Sequence, residues 1–289
     1  MKKINRDEIL QANHLACPGC GATLSMRLAL KALGRKTVIV IPACCWTIIN
    51  GPHGKNYAGV PVFHTAFETT AAVASGIKAS FDMQGKSDIT VMGWAGDGGT
   101  FDIGLQALSG AAERNDDIIY VCYDNEAYMN TGIQRSSATP YGAATTTTPP
   151  PIQKDRPKKD LMEIVNAHEV PYIASATIAY PKDLMKKFEK AKNTRGFKLI
   201  HLFSPCPPGH KSVESKSVEI AKLAVETGIF PLYEIENGVH KLTRKPKFTD
   251  VREYLYLQGR FKHLDDKEAE IITENIKQRW EKLTKKFEC

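Results

Sequence analysis

No stretch of the 289 residues approaches the ~18 to 20 consecutive apolar side chains that a bilayer-spanning helix needs. The opening Met1-Lys2-Lys3-Ile4-Asn5-Arg6-Asp7-Glu8 holds no apolar signal core. A membrane is therefore not an expected partner, and the cytoplasm is the expected compartment. Runs of five or more like charges are missing as well, so the excess of 39 Lys and Arg over 32 Asp and Glu is spread along the chain. The resulting net charge of +7, thickest after Lys241, reads as a solvated basic surface, with docking of an acidic protein or anionic ligand as the functional alternative. Internal repeats of roughly 20 to 50 residues are absent, which excludes solenoids and propellers. Hydrophobic residues at 42% and charged residues at 25% exclude a disordered or collagen-like chain. Seven cysteines, at 17, 20, 44, 45, 122, 206 and 289, are an odd number in a chain too long to need disulfide staples. Metal or cluster ligation therefore outranks bridging.

At roughly 150 residues per domain the length suggests about two domains or one large α/β unit. Residues 22–33 are rich in helix formers and stop at Gly34. Thr37-Val38-Ile39-Val40-Ile41 is a continuous β-branched run, the pattern of a strand buried on both faces of a parallel sheet. Residues 69–81, small and apolar, predict a closely packed helix, and 88–94 the next strand. The turn Ala95-Gly96-Asp97-Gly98-Gly99-Thr100 then leads into a helix over 101–114 and a strand over 117–123. A right-handed crossover makes these two strands parallel, with both carboxyl ends on one edge. Asp97 and Asn125 are expected on the same rim.

Residues 126–159 sustain no period, and Thr145 to Thr148 followed by three prolines blocks both helix and central strand. So long a loop is either a covering segment or a disordered linker. Helices over 161–168 and 183–192, with strands over 171–174 and 198–203, continue the alternation. After Pro207-Pro208-Gly209 the composition shifts to a helix over 218–227, a small hairpin (232–235 with 241–243) and a charged terminal helix. On that helix Ile272, Ile276, Trp280, Leu283 and Phe287 form one stripe, which packs either on this chain or on a partner subunit. The expected organisation is an α/β domain over 1–210 and a C-terminal extension over 211–289 that docks on partner subunits.

Gly96-Asp97-Gly98-Gly99, between a strand and a helix, is a place where phosphate can approach the backbone. Alone it is an ordinary turn, and Asp97 an ordinary cap. A second strand end, Asp124-Asn125-Glu126-Ala127, places Asn125 28 positions after Asp97. A carboxylate, an amide oxygen and a backbone carbonyl are hard donors suited to Mg²⁺ that also takes phosphate oxygens. Cys17-Pro18-Gly19-Cys20, then Cys45, then Cys206 supply soft thiolates for either tetrahedral Zn²⁺ or a cubane iron–sulfur cluster. No strand leads into the C-x-x-C pair, which disfavours a thioredoxin-type redox role. Cys122, inside a strand, and Cys289, at the terminus, read as unrelated thiols.

The Gly-Asp-Gly turn followed by Asn resembles the thiamine diphosphate motif. Nearly the full chain is similar to the β subunits of the 2-oxoacid:ferredoxin oxidoreductases, most nearly the pyruvate type. The resemblance rests on His14-Leu15-Ala16-Cys17-Pro18-Gly19-Cys20-Gly21-Ala22, Gly96-Asp97-Gly98-Gly99-Thr100-Phe101-Asp102-Ile103-Gly104, Tyr123-Asp124-Asn125-Glu126-Ala127-Tyr128-Met129-Asn130-Thr131-Gly132 and Ser204-Pro205-Cys206. It implies a thiamine diphosphate-binding α/β fold with a mostly parallel central sheet flanked by helices. It implies Mg²⁺ held by Asp97, Asn125 and the Ala127 carbonyl, with diphosphate against Gly98 and Gly99 and Gly96 also binding the cofactor. One [4Fe-4S] cluster would be held by Cys17, Cys20, Cys45 and Cys206. Ala43-Cys44-Cys45-Trp46 departs from the family's more typical Thr-Gly-Cys, leaving Cys44 a competitor to Cys45. Ile48 falls where a wedge under the cofactor would sit, and Asn130, in the family's Tyr-x-Asn-Thr-Gly segment, where a polar group would reach the substrate. His64 and Glu68 are equally suited to lining the pocket and to a capping or buried hydrogen-bonded role.

The activity implied is oxidative decarboxylation of a 2-oxoacid, with pyruvate foremost, and its reverse. Coenzyme A takes the acyl group and electrons leave singly through the cluster to ferredoxin. Alpha, gamma and delta type subunits are the implied partners, one of them supplying the glutamate that activates the aminopyrimidine. An alternative keeps the thiamine site but makes the chain a non-redox decarboxylase or carboligase subunit with structural zinc. A basic nucleic-acid-binding module would leave the Gly-Asp-Gly unit unexplained, so no nucleic acid is expected.

Overall fold

The computed structural model describes residues 7–52 and 54–287. The readings on Cys289 and on the first six residues lie outside them. Eight strands are present among the described residues: β1 Thr37–Pro42, β2 Val62–Thr65, β3 Thr90–Gly96, β4 Ile119–Asp124, β5 Tyr172–Thr177, β6 Lys198–Phe203, β7 Leu232–Glu236 and β8 Val239–Arg244. Ten α-helices accompany them among the described residues: α1 Gly21–Leu33, α2 Cys45–Ile49, α3 Thr70–Met83, α4 Leu105–Glu113, α5 Leu161–Asn166, α6 Pro181–Asn193, α7 Pro207–His210, α8 Ser217–Glu226, α9 Val251–Tyr256 and α10 Asp266–Phe287. All strands join one sheet in the order β2-β1-β3-β4-β6-β5-β7-β8, in which the first six are parallel. β7 and β8 add antiparallel. This is the α/β architecture with a mostly parallel central sheet that the alternation predicts.

The sheet is covered on both faces because its strands alternate apolar residues to each side. Ile39 and Ile41 of β1 meet Met26, Leu30 and Leu33 of α1 and Leu184 and Phe188 of α6. Val40, between them, joins Ala71 and Ala74 of α3, Leu108 of α4 and Val165 of α5 on the opposite face. Each of the larger side chains, buried completely, contributes ~1.5–3 kcal/mol. α1 stops where Gly34 takes φ 83°, a conformation glycine adopts without steric cost. No helix among the described residues is long and apolar enough to cross a membrane.

Four short elements escaped the sequence reading: β2, α2, α7 and α9. β2 is an edge strand whose Phe63 and His64 are exposed, so it shows neither a buried run nor a clean alternation. Where a helix over 101–114 was expected, a wide π-type turn over Gly98–Asp102 precedes α4. Residues 126–159 cover the chain surface without helix or regular strand, joined only by an isolated bridge between Tyr128 and Gln134. They are nevertheless anchored, since the buried Lys154 donates to the carbonyls of Ser137 and Thr139.

The apolar stripe of α10 packs within this chain. Trp280 and Leu283 enter the core cluster of the opposite sheet face, and Ile272 a third cluster under α8 and α9. Trp280 Nε1 donates to the Gly228 carbonyl at 2.8 Å, and its ring meets Phe248 edge-on at 5.4 Å. Trp280→Ala is therefore expected to destabilise the chain by ~3–5 kcal/mol. The check is urea unfolding, with a lower midpoint at unchanged slope. An unchanged midpoint would show that the stripe contributes nothing to this chain's own core.

Candidate functional site

Ala95 pairs with Cys122 and Gly96 with Tyr123 across β3 and β4, so the two strand tips end side by side. Asp97 follows the first tip and Asp124 closes the second. Both carboxylates are buried, with 1% and 0% of their surface exposed. Burial, then the charge of Asp124, pushes the Asp97 carboxyl well above the usual range. Its Oδ2 accepts from Ser136 Oγ at 2.5 Å. Burial acts on Asp124 in the same direction, but Lys158 and His201, each 2.7 Å from its Oδ2, outweigh it and hold that carboxyl below the usual range.

Asn125 completes the rim. One terminal atom of its carboxamide lies 2.8 Å from Asp97 Oδ1 and 3.0 Å from the Ala127 carbonyl oxygen. With nitrogen there, the amide donates to both. With oxygen there, it stands from each of the other two oxygens at the spacing of neighbouring ligands around an octahedral ion whose bonds are ~2.0–2.1 Å long, for which that spacing is about 2.9 Å. The donor set fits a small hard cation. Behind Asp97, Gly98 is held to glycine by space: a Cβ there would lie 2.4 Å from the Tyr128 ring, whose hydroxyl donates to Asp102 at 2.9 Å.

The rim opens on a cavity of about 240 Å³. Gly96, Asp97, Gly98, Gly99, Asn125 and Ala127 line it on one side, and Ile48 and Asn130 border the same space. Ile48 is half-exposed although apolar. His64 and Glu68 do not line this cavity, whereas Phe67 between them does.

Cys45, the first residue of α2, lines the cavity too. Cys20 is drawn toward Cys206 by the Gly21 N–H, which donates to the Pro205 carbonyl at 3.0 Å. Cys17 is one turn away, its carbonyl accepting from Cys20 N at 3.1 Å. Burial, followed by the nearby sulfurs of Cys44, Cys206, Cys20 and Cys17, pushes the Cys45 thiol up. Burial, opposed by the Gly209 N–H and reinforced by Cys20 and Cys17, pushes Cys206 up to about 12. The four sulfurs are thus electrostatic neighbours, yet among the described residues no three His, Cys, Asp or Glu side chains gather around one metal-ion position. Cys44 is different: its thiol is buried, contacts Tyr123 and caps α2 by accepting from the Thr47 N–H.

Sequence reasoning missed the groups that surround the Asn125 turn. Lys158 also binds Glu126 Oε1 at 2.6 Å, and Arg260 pairs with the other Glu126 oxygen. His210 is pushed down to about 3 by burial first and Arg260 next, so its ring is neutral. Its Nε2 donates to the Asn125 carbonyl at 3.1 Å. A signal was available in the two carboxylates flanking Asn125, which burial would oblige to find cations.

The family description "Thiamine pyrophosphate enzyme, C-terminal TPP binding domain" matches residues 47–202. The chain is 51% identical to ketoisovalerate oxidoreductase subunit VorB of Pyrococcus abyssi, over 96% of this chain and 93% of that one. It is also 51% identical to pyruvate synthase subunit PorB of Methanothermobacter thermautotrophicus, over 95% of this chain and 96% of that one. Among solved structures, a chain of 2-oxoglutarate:ferredoxin oxidoreductase from Magnetococcus marinus shares the fold, with a TM-score of 0.63 at 19% identity, covering 94% of this chain and 97% of that one.

The crowding at Gly98 can be tested on stability alone. Gly98→Ala forces the Tyr128 ring aside and is expected to cost ~1–3 kcal/mol in chemical unfolding. Gly110→Ala in α4, whose new Cβ would meet only the end of Arg114 at 3.2 Å, is expected instead to gain ~0.5–1 kcal/mol.

Proposed function

Because the chain belongs to the family of PorB and VorB subunits, the thiamine-type β subunits of 2-oxoacid:ferredoxin oxidoreductases, we propose that it binds thiamine diphosphate and a [4Fe-4S] cluster side by side. The reaction it serves joins a 2-oxoacid anion and coenzyme A to give acyl-CoA, CO₂, one proton and two electrons, and also runs in reverse. The electrons pass singly to ferredoxin. Pyruvate is the proposed substrate. Ketoisovalerate is the second reading, supported by the equal identity to relatives named for each acid.

The observation that carries this reading is a shared wall: Cys45 and Ile48 border the same cavity as the Asp97, Asn125 and Ala127 oxygens. Thiamine diphosphate, when bound, supplies a carbon nucleophile for a 2-oxo group and a place for the electron pair left by CO₂. Asp97, Asn125 and Ala127 hold Mg²⁺, and the Cβ-free backbone at Gly96, Gly98 and Gly99 admits the diphosphate. Ile48 supports the cofactor from the cavity wall. Asn130 presents an amide donor where charge develops on the substrate. Cys17, Cys20, Cys45 and Cys206 hold the cluster. Four thiolates closing on one Zn²⁺ at ~2.3 Å would stand about 3.8 Å apart. A cluster, with sulfurs farther apart than that, is the reading we take over structural zinc, because electron transfer to ferredoxin needs a redox centre and Zn²⁺ has no redox chemistry.

The working enzyme is a cytoplasmic hetero-oligomer with alpha, gamma and delta type subunits, one supplying the activating glutamate. The α/β domain over 1–210 carries the chemistry, and residues 211–289 contribute surface for those partners.

The test is anaerobic isolation of the complex with iron, sulfide, magnesium and thiamine quantitation. Cys45→Ser is expected to lose iron and brown colour, and Cys44→Ser to keep both. Asp97→Asn is expected to weaken Mg²⁺ and thiamine diphosphate retention at least as much as the 10–100-fold typical of lost outer-sphere partners. A colourless complex holding zinc, or one that reduces ferredoxin with neither pyruvate nor ketoisovalerate, overturns the proposal. The larger kcat/KM of the two acids names the substrate.

A further inference from the structure

The turn that brings Asn125 and Ala127 to the rim is not one its sequence favours. Glu126, between them, has φ 68°, a left-handed conformation that costs a non-glycine residue free energy and persists only when surrounding contacts impose it. The groups that make those contacts do not line the cavity. Lys158 bridges Asp124 and Glu126, at 2.7 and 2.6 Å. Thr139 Oγ1 donates to the Glu126 carbonyl at 2.8 Å. Arg260 grips the second Glu126 oxygen and is itself oriented by Gln258 Oε1 at 2.8 Å and the Tyr254 hydroxyl at 3.2 Å. His210 Nε2 donates to the Asn125 backbone carbonyl, while the side-chain carboxamide of the same residue meets Asp97 and Ala127. Two cations answer two carboxylates, so the network is neutral in itself and leaves Asp97 to face the cavity.

Two of these groups, His210 and Arg260, lie beyond the residues matched to the thiamine domain. They belong to one unit, because Gly259 N donates to the Lys211 carbonyl at 3.0 Å. That unit is attached to the cysteine quartet through α7, where His210 N donates to the Cys206 carbonyl at 2.8 Å. We propose that His210 and Arg260 are positioning residues for the cation-binding turn, holding the Asn125 carboxamide and the Ala127 carbonyl toward Asp97 from a C-terminal segment that also carries Cys206. The inference rests on the reading of Asp97, Asn125 and Ala127 as the cation site. The C-terminal region then sets affinity for the diphosphate-bound cation, besides offering surface to partners.

The experiment measures Mn²⁺ binding by electron paramagnetic resonance in the assembled anaerobic complex, with saturating thiamine diphosphate. His210→Phe keeps the ring stacked on Phe203 but removes the donor, and Arg260→Lys keeps the charge but removes the fork. Each is expected to weaken Mn²⁺ binding 10-fold or more, the size of an outer-sphere effect, with iron per chain unchanged. His210→Gln, which restores a side-chain N–H, is expected to recover part of the loss. Ile272→Val serves as the control, since it trims the same C-terminal core without touching the turn. Unchanged Mn²⁺ binding in both variants overturns the proposal, as does equal weakening by Ile272→Val. Failure of both variants to assemble does so too, because the network is then a requirement of the fold at large. If the unaltered complex binds no Mn²⁺, the reading of the site fails first and this inference with it, an outcome distinct from the others.

Discussion

Two carboxylates buried at neighbouring strand tips cannot both carry charge in a low-dielectric interior unless each is answered. The answers here are unequal. Asp124 has Lys158 and His201 in direct contact, while Asp97 has a single hydroxyl, that of Ser136, and the Asn125 amide. The third acid of the turn, Glu126, is directed to Lys158 and Arg260. One carboxylate without a cationic partner is therefore left facing the cavity, beside the Asn125 carboxamide and the Ala127 carbonyl oxygen. An apolar rim of the same shape would have no use for a cation.

The sheet order explains why this rim and the cysteines share an edge. β1, β3, β4 and β6 are consecutive neighbours and parallel, so their carboxyl ends face the same way. The segments that follow them carry Cys45, Asp97, Asn125 and Cys206 in that spatial order. From β1 the chain crosses outward to β2, and from β3 it crosses the other way to β4. The crevice between β1 and β3 is thus a topological switch point, the place where open parallel sheets admit ligands. The cavity between Ile48 and Asp97 occupies it.

The parts of this arrangement that repeat locally were legible in the sequence. The β-branched run of β1, the helix ending at Gly34, and the glycine turn between β3 and α4 each announce themselves within a dozen residues, and parallel crossover then fixes the rim. The parts built from single long-range contacts were not. Ser136 reaches Asp97 across 39 positions, His210 reaches Asn125 across 85, and Arg260 reaches Glu126 across 134. No periodicity marks such residues, because each owes its place to a loop or a chain end folded by something else. β2 was missed for a related reason: an edge strand with one neighbour does not need a continuous apolar run.

The adjacent cysteines at the start of α2 show how a departure from a family pattern can be absorbed. A helix of five residues has no length to stabilise itself, so its first turn must be fixed from outside. Cys44 does this by capping: its thiol takes the Thr47 N–H, while Thr47 Oγ1 takes the Cys44 N–H at 3.2 Å. A residue committed to capping is turned into the protein, against Tyr123. The next residue, Cys45, lines the cavity and has the sulfurs of Cys206, Cys20 and Cys17 among its electrostatic neighbours. Ile48 then follows three residues on, about 4.5 Å along the same short helix. The cap thus sets the orientation of α2, and with it both the sulfur offered to the cysteine quartet and the apolar side chain offered to the cavity. The separation between the Cys45 sulfur and the Ile48 side chain is set by a single helical turn, capped by the cysteine that the family pattern does not call for.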